Sequence, residues 1–332
     1  MNWFPMLHRP AVEPADERPW TPDEVAALAE AIRHAPSVHN TQPWALRVQG
    51  RTATLRVRST PELVQHDPEG RDRRMSCGAA VANLVIALRG LGWVPEVRWP
   101  VDEAGADGEA AVIGTRRQPP CAIERDRWNA ISRRVSYRRS FADRPIPHLV
   151  RTTMVAAATT QAMWLEGVEE QRAVARLLSY AARVTHDDVR YQHELGIWTA
   201  AVADEGLFTG AFADSGVGAV GLVSSRTRLP DEERLAAWLA RESVLVFSTL
   251  SDSPRDQMQA GEAAERSWLE ATRLGLAASV MTQPLRLPEV RAGLREALDL
   301  AGVPQLLMRV GYPAAIPVPH TTRRPLPEVF GD

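Results

Sequence analysis

Two stretches of this 332-residue chain carry the same glycine spacing, and that repeat restricts the fold more than any other feature. Cys77–Trp93, CGAAVANLVIALRGLGW, predicts a buried helix closed by a glycine after its last turn, and Ala260–Ala277, AGEAAERSWLEATRLGLA, predicts another. Gly78 to Gly92 spans the same interval as Gly261 to Gly275, and leucine precedes each second glycine. A second match lies upstream of each helix. The predicted helix Asp23–Ala35, its start marked by Thr21-Pro22-Asp23, leads through a polar turn to Trp44 and the strand-like ALRV. The helix around Leu149–Ala158 leads through Thr159-Thr160-Gln161 to Trp164 and LEGV, which sets Trp44 and Val48 against Trp164 and Val168. Arg18-Pro19-Trp20-Thr21-Pro22 and Arg144-Pro145-Ile146-Pro147 are the matching lead-ins. The same units in the same order predict an ancient duplication: one half over 1–117, a second over 118–332, joined at the proline-bearing stretch Gln118–Glu124.

Strands are expected at Trp44–Gln49, Thr52–Val57, Pro95–Trp99, Ala110–Ile113, Met163–Val168, Val244–Leu250 and Leu306–Gly311. Helices and strands do not alternate one for one, so the fold class is α+β, with mixed sheets flanked by helices rather than a doubly wound sheet. Composition excludes several function classes. A net charge of −2 gives no reason to expect nucleic acid or an anionic membrane as partner. All 39 basic residues are arginine, which excludes lysine Schiff-base chemistry. Two cysteines, Cys77 and Cys121, make neither a disulfide framework nor a cysteine-rich metal site. Met1–Pro10 lacks the charged start and long apolar core of a leader, and the apolar runs fall short of the roughly 20 residues that span a bilayer, so the expectation is cytoplasmic.

The strongest local signal is Ala35-Pro36-Ser37-Val38-His39-Asn40-Thr41-Gln42-Pro43-Trp44, polar residues between prolines that fix the backbone. Such a turn can present hydrogen-bonding groups to a planar heteroaromatic ligand; a water-exposed helix-to-strand loop is the bland alternative. The second signal is Arg133-Arg134-Val135-Ser136-Tyr137-Arg138-Arg139-Ser140-Phe141. Arginine forks pair bidentately with phosphate oxygens, although an isolated cluster is more often a solvated basic face.

Together these stretches resemble the FMN-dependent nitroreductase superfamily. In that family an R-x-S-x-R segment of one subunit holds the flavin phosphate and ribityl chain, and a P-S-x-x-N-x-Q-P-W turn of the partner lies along the isoalloxazine ring. Arg134, Ser136 and Arg138 match the first, with Arg133 and Arg139 beside them, and Pro36, Ser37, Asn40, Gln42, Pro43 and Trp44 match the second, with His39 inside the turn. Met308–Pro313 and the later Arg323-Arg324 resemble the last strand and its phosphate-binding arginines. The resemblance covers roughly residues 21–115 and 126–330. It implies a fused pair of nitroreductase-like halves, an intrachain pseudo-dimer with one FMN per chain, monomeric or further dimerised. Ala156-Ala157 and Thr160 replace Pro36-Ser37 and Asn40 in the second half, and no R-x-S-x-R precedes the first helix. Double-length chains of this kind resemble Acg-type nitroreductase-like proteins of actinobacteria, linked to dormancy and redox stress.

Two departures bear on activity. Family members offer a backbone N–H to flavin N5 from the loop after the last core helix; here that loop is Val280-Met281-Thr282-Gln283-Pro284, and proline has no N–H, leaving Thr282 or the amide of Gln283. An insertion from about 183 to 231 holds Tyr191, Trp198, Phe208 and Phe212 among glycines, and predicts a lid over the flavin that restricts NAD(P)H and bulky acceptors. The resemblance therefore implies NAD(P)H-dependent reduction of nitroaromatics or quinones, with a flavin-storage protein of little turnover as the rival. Gly216–Gly221 satisfies G-x-G-x-x-G without the strand and helix of a Rossmann unit, and His186, His193 and Glu194 lack metal-ligand spacing. Cys77 is expected to pack, with a reactive thiol as the minority alternative.

Overall fold

A computed structural model describes residues 18–59, 63–99, 108–200, 205–207, 212–213, 215–314 and 321–331; Met1–Pro10 and Phe208 lie outside them. Helix α1, Pro22–Arg33, starts at a reciprocal cap: Thr21 Oγ accepts from the Glu24 N–H, and the Glu24 carboxylate accepts from the Thr21 N–H. Strands β1 (Trp44–Gln49) and β2 (Thr52–Val57) form a hairpin whose turn takes φ +62° at Gly50. Helix α2 (Arg71–Gly90) then crosses under the sheet, followed by β3 (Trp93–Arg98) and β4 (Glu109–Arg117), giving the order β1-β2-β4-β3.

The second sheet repeats that order. After α3 (Ala122–Arg133) and α4 (His148–Ala157) come β5 (Gln161–Trp164), α5 (Val168–Asp187), α6 (Val189–Ala200), α7 (Gly218–Gly221) and α8 (Glu232–Leu239). Strand β6 (Ser243–Thr249), α9 (Pro254–Arg273), β7 (Ala277–Met281), α10 (Pro288–Ala297) and β8 (Val303–Gly311) complete it, in the order β5-β6-β8-β7. All named strand pairs are antiparallel; the parallel contribution to the expected mixed sheets is one bridge, Ser136 to Ala278. Strand β7 escapes sequence analysis because its small and apolar residues continue from the preceding helix with only Gly275 between.

The predicted helix repeat is α2 and α9, both 20 residues long and each followed by leucine and a left-handed glycine, Gly92 at φ +81° and Gly275 at φ +80°. They begin at Arg71 and Pro254, well before Cys77 and Ala260, so Gly78 and Gly261 lie inside the helices at their mutual crossing. Met258 and Leu269 of α9 pack into the core under the first sheet with Leu28, Ile32, Trp44 and Leu84, while Met75 of α2 packs into the core of the second with Phe247 and Met308. Trp44 opens β1 opposite Val57, but Trp164 closes β5 opposite Leu245, and Val168 starts α5. The expected equivalence of the tryptophans fails because the long turn between α1 and β1 has no counterpart of its length between α4 and β5. The insertion carries more helix than the sequence suggests: the end of α5, all of α6 and α7. Among the described residues, no helix is long and apolar enough to cross a membrane.

Candidate functional site

The turn that joins α1 to β1 is a strained one. His39, Asn40 and Gln42 take φ of +44°, +57° and +48°, the left-handed region that residues with a β-carbon avoid. Such residues cluster at functional sites, because the surroundings must hold them against a cost of about 1–3 kcal/mol each. Here Ser37 Oγ accepts from the Gln42 N–H at 3.0 Å and Ser76 Oγ from the Val38 N–H at 3.0 Å, pinning both ends. Asn40 and Gln42 grip the C-terminal segment: Asn40 Nδ2 donates to Thr322 O at 3.1 Å, Arg323 donates to Asn40 Oδ1 at 2.8 Å, and Gln42 Oε1 accepts from the Arg324 N–H at 3.0 Å. The strain leaves the His39 ring buried, 6% exposed, on a cavity that Pro36, Ser37 and Asn40 also line.

The opposite wall is the arginine segment. Ser136 bridges Ala278 on the edge strand β7, and the Tyr137 N–H donates to Ala278 O at 2.9 Å, so this stretch runs as an added strand. Alternate residues of an extended chain face one side, which explains the R-x-S-x-R spacing. Arg134, Ser136 and Arg138 line the cavity, while Tyr137 is buried behind them and its hydroxyl donates to Ser140 O. Arg134, 4% exposed, donates to His34 O at 2.8 Å, lies over the Trp268 ring and sits 3.3 Å from Glu265. Arg138 has no hydrogen-bond or ion-pair partner for its guanidinium among the described residues. Burial, then repulsion from Arg134 and Arg309, pulls its pKa down to about 10. Arg323 is pulled to about 9 by burial and by the charges of Arg134 and Arg33.

The floor comes from the crossing helices. Asp72, Met75, Ser76 and Ala79 of α2 and Gly261, Ala264, Glu265 and Trp268 of α9 line the cavity at helical spacing. Asp72 anchors a buried polar chain: His66 Nε2 lies 3.0 Å from its Oδ2, His66 Nδ1 lies 2.9 Å from the Tyr191 hydroxyl, and Gln283 Nε2 donates to that hydroxyl. Burial works to raise the Asp72 pKa, but His66 and Arg71 outweigh it and hold the carboxyl below its usual range. The His39 ring meets His66 edge-on at 4.4 Å, and burial with the His66 and Arg138 charges holds its pKa well below normal. Leu207, Gly221 and Leu222 of the insertion close one side.

Of the residues expected to contact flavin, Pro36, Ser37, His39, Asn40, Arg134, Ser136, Arg138, Thr282, Gln283 and Arg323 converge on this cavity. Gln42 stands behind the turn, Arg324 pairs with Glu205, and Arg133, at the end of α3, and Arg139 are exposed. Both polar ends of the Gln283 side chain are engaged, Oε1 accepting from the Val223 N–H at 2.7 Å. His66, Asp72, Glu265 and Trp268 were not expected from the sequence; Asp72 and Glu265 are carboxyls set in buried helices, whereas His66 lies in the turn before α2.

The decoys resolve into packing. A β-carbon on Gly218 would lie 2.4 Å from Arg138 O, and one on Gly221 2.7 Å from the Met281 side chain, so these glycines let the insertion approach the arginine strand and β7. Glu194 accepts from the Gln65 and His66 N–H groups at 2.9 and 2.8 Å, and His186 pairs with Asp187. These lie on helices rather than in a hydrated loop, and among the described residues no group of three potential ligands is arranged to hold a metal. Cys77 donates to Pro43 O at 3.1 Å, and burial pushes its thiol pKa up, which suits packing and not reactivity.

A family model described as Nitroreductase family matches residues 166–312, and a curated relative matches nearly the whole chain, so this protein belongs to the nitroreductase family. That relative is the Mycobacterium tuberculosis protein provisionally named NAD(P)H nitroreductase Rv3131, 32% identical over 309 residues, covering 91% of this chain and 89% of its own. A second M. tuberculosis protein, provisionally named NAD(P)H nitroreductase acg, is 28% identical over 330 residues, with 93% and 96% covered. Among solved structures, an FMN-bound nitroreductase from Bacteroides fragilis aligns with TM-score 0.40 and 17% identity, over 60% of this chain and 95% of that one.

Proposed function

We propose that the cavity binds one FMN and that the chain uses NAD(P)H to reduce nitro compounds or quinones. Arg138 carries this reading. A half-buried guanidinium that lines a cavity without a counter-ion is costly to keep unless an anion completes it. Arg134 and Arg323 converge on the same cavity; of its two carboxyls Asp72 is already paired with His66 and Arg71, so three arginines share Glu265 alone and the donor set fits a phosphate. The turn at Ser37–Asn40 and the Thr282–Gln283 corner would flank the ring, with Trp268 and Met75 supplying apolar surface.

When bound, FMN supplies the two-electron hydride chemistry between NAD(P)H and the acceptor. The chain's part is to fix position and exclude water. The strained turn and the added arginine strand belong to opposite sides of the repeat, so one site forms from both. We take the chain as two fused halves, joined near Gln118–Glu124, that need no second chain to complete it. At the place related by the repeat, Glu262 is held by Arg266 at 2.7 Å and by Thr159 at 3.1 Å, which fills that position with protein contacts.

The storage reading rests on two observations: the insertion is tied to Gln283 and His66 through Tyr191, beside the corner where N5 would be served, and Pro284 offers no N–H there. An anaerobic absorbance trace with NADH and then NADPH separates the two. Bleaching of a yellow band and its return with a nitroaromatic or quinone is the expected result. Bleaching by dithionite alone supports storage, and a colourless protein that cannot be loaded with FMN overturns the assignment.

A further inference from the structure

One group on the cavity floor has no role in the reading so far. Glu265 is 1% exposed, lines the cavity from α9, and neither of its carboxyl oxygens has a hydrogen-bond partner among the described residues. Arg134 Nε is 3.3 Å from one oxygen but out of hydrogen-bonding line, and the guanidinium is drawn instead to His34 O and over Trp268. Native proteins seldom leave both oxygens of a buried carboxyl unmatched, and such a group on a cavity wall signals a missing ligand. Burial pushes its pKa up to about 8 against the opposing charges of Arg134 and Arg323, so near neutral pH it holds a proton and both donates and accepts.

Resting on the flavin assignment above, we propose that Glu265 binds the hydroxyls of the ribityl chain. FMN offers hydrogen-bond donors at the ring N3–H and at the chain hydroxyls. Glu265 stands among Arg134 and Arg323, the cationic part of the cavity suited to phosphate, and the hydroxyls are the donors next to phosphate along the ligand. An acidic side chain near a phosphate would repel it when ionised; a protonated one does not. Glu265 thereby recognises the polyol, while the arginines recognise the anion.

Three flavins separate these contributions: FMN, riboflavin, which lacks the phosphate, and lumiflavin, which lacks the whole chain. Flavin fluorescence titrations of the full-length protein give the dissociation constants. In Glu265→Met, which fills the space without hydrogen bonding, FMN and riboflavin should each bind about tenfold more weakly, with lumiflavin within about twofold of wild type. Glu265→Gln, which keeps a donor and an acceptor, should hold riboflavin within about threefold. Loss of FMN affinity with riboflavin unchanged would mean that Glu265 acts only through Arg134 on the phosphate, and would overturn the proposal. Equal loss for all three flavins, or a riboflavin loss in Glu265→Gln as large as in Glu265→Met, would also overturn it. If Glu265→Met does not fold, Glu265→Ala is judged by the same criteria. A wild-type chain that binds none of the three overturns the flavin assignment itself; the variant patterns overturn the ribityl role alone.

Discussion

Gly78 and Gly261 stand in reciprocal positions: a β-carbon on the first would lie 1.8 Å from Met258 O, and on the second 1.8 Å from Met75 O. The same contact made twice, each by one helix on the other, is the signature of a two-fold interface, here formed inside one chain. Backbone cannot retreat from that distance without parting the helices that carry the cavity floor. Gly78→Ala and Gly261→Ala should each destabilise by about 3 kcal/mol or more, at the upper end of overpacking costs. Gly275, left-handed but with open space around its α-carbon, should cost only about 1 kcal/mol as alanine. Urea denaturation of the three variants checks this, and a Gly78→Ala protein as stable as wild type would mean that the crossing is looser than the geometry states.

Arg138 is expected to weaken the empty protein and strengthen the loaded one. Its pKa is depressed, so the fold disfavours its charge, and Arg138→Gln should melt no lower than wild type without flavin. With FMN present the order should reverse, because the variant loses a charge-assisted contact of about 1–3 kcal/mol. Arg134→Gln differs: it takes from the buried Glu265 the cation at 3.3 Å, leaving Arg323, and should destabilise both states less than it weakens FMN binding. Melting curves with and without FMN test both variants, and equal flavin-induced shifts in wild type and Arg138→Gln would place the phosphate elsewhere.

The sequence carried the repeat because a tight helix crossing admits only glycine, as at Gly78 and Gly261, and a left-handed helix end favours it, as at Gly92 and Gly275. It carried the two walls of the site because a turn of prolines and polar residues and an alternating arginine strand are local patterns. It did not carry the floor. Asp72 and Glu265 look like ordinary helix residues until the crossing of α2 and α9 buries them, and His66, paired locally with Asp72, gains its second partner only when Tyr191 arrives from the insertion. The match of Trp44 to Trp164 misled for a related reason: equal residues at similar distances say nothing about register, which the strand partners Val57 and Leu245 decide.

Glu265 should also set a pH dependence of stability. Its pKa rises from the ordinary 4.5 to about 8 on folding, with Arg134 and Arg323 opposing the rise, so the folded state binds the proton more tightly. Stability from this group is full below the unfolded value and is lost as pH climbs through the folded one. Flavin-free wild type should lose on the order of 3–5 kcal/mol between pH 5 and pH 9 from this source, and Glu265→Gln should be flatter across that window. Denaturation midpoints at several pH values decide it; parallel curves for the two proteins would show Glu265 ionised throughout.

Tyr191 ties the insertion to both sides of the cavity, and its hydroxyl is the one atom shared by His66 and Gln283. Around it Glu194 caps the Gln65 and His66 N–H groups, and Arg286 lies over the ring while pairing with Asp188 at 3.3 Å. Tyr191→Phe keeps the ring and its packing but leaves His66 Nδ1 without that partner in a buried place, a cost of about 1–3 kcal/mol. Most of that cost is released if α6 lifts, because water then reaches the imidazole. Limited proteolysis should therefore cut within the insertion faster in Tyr191→Phe than in wild type, and FMN should slow the cutting of wild type. Identical cutting of the two proteins would mean that Glu194 and Arg286 hold α6 unaided. Cutting of wild type that ignores FMN would mean that the insertion does not cover the flavin at all.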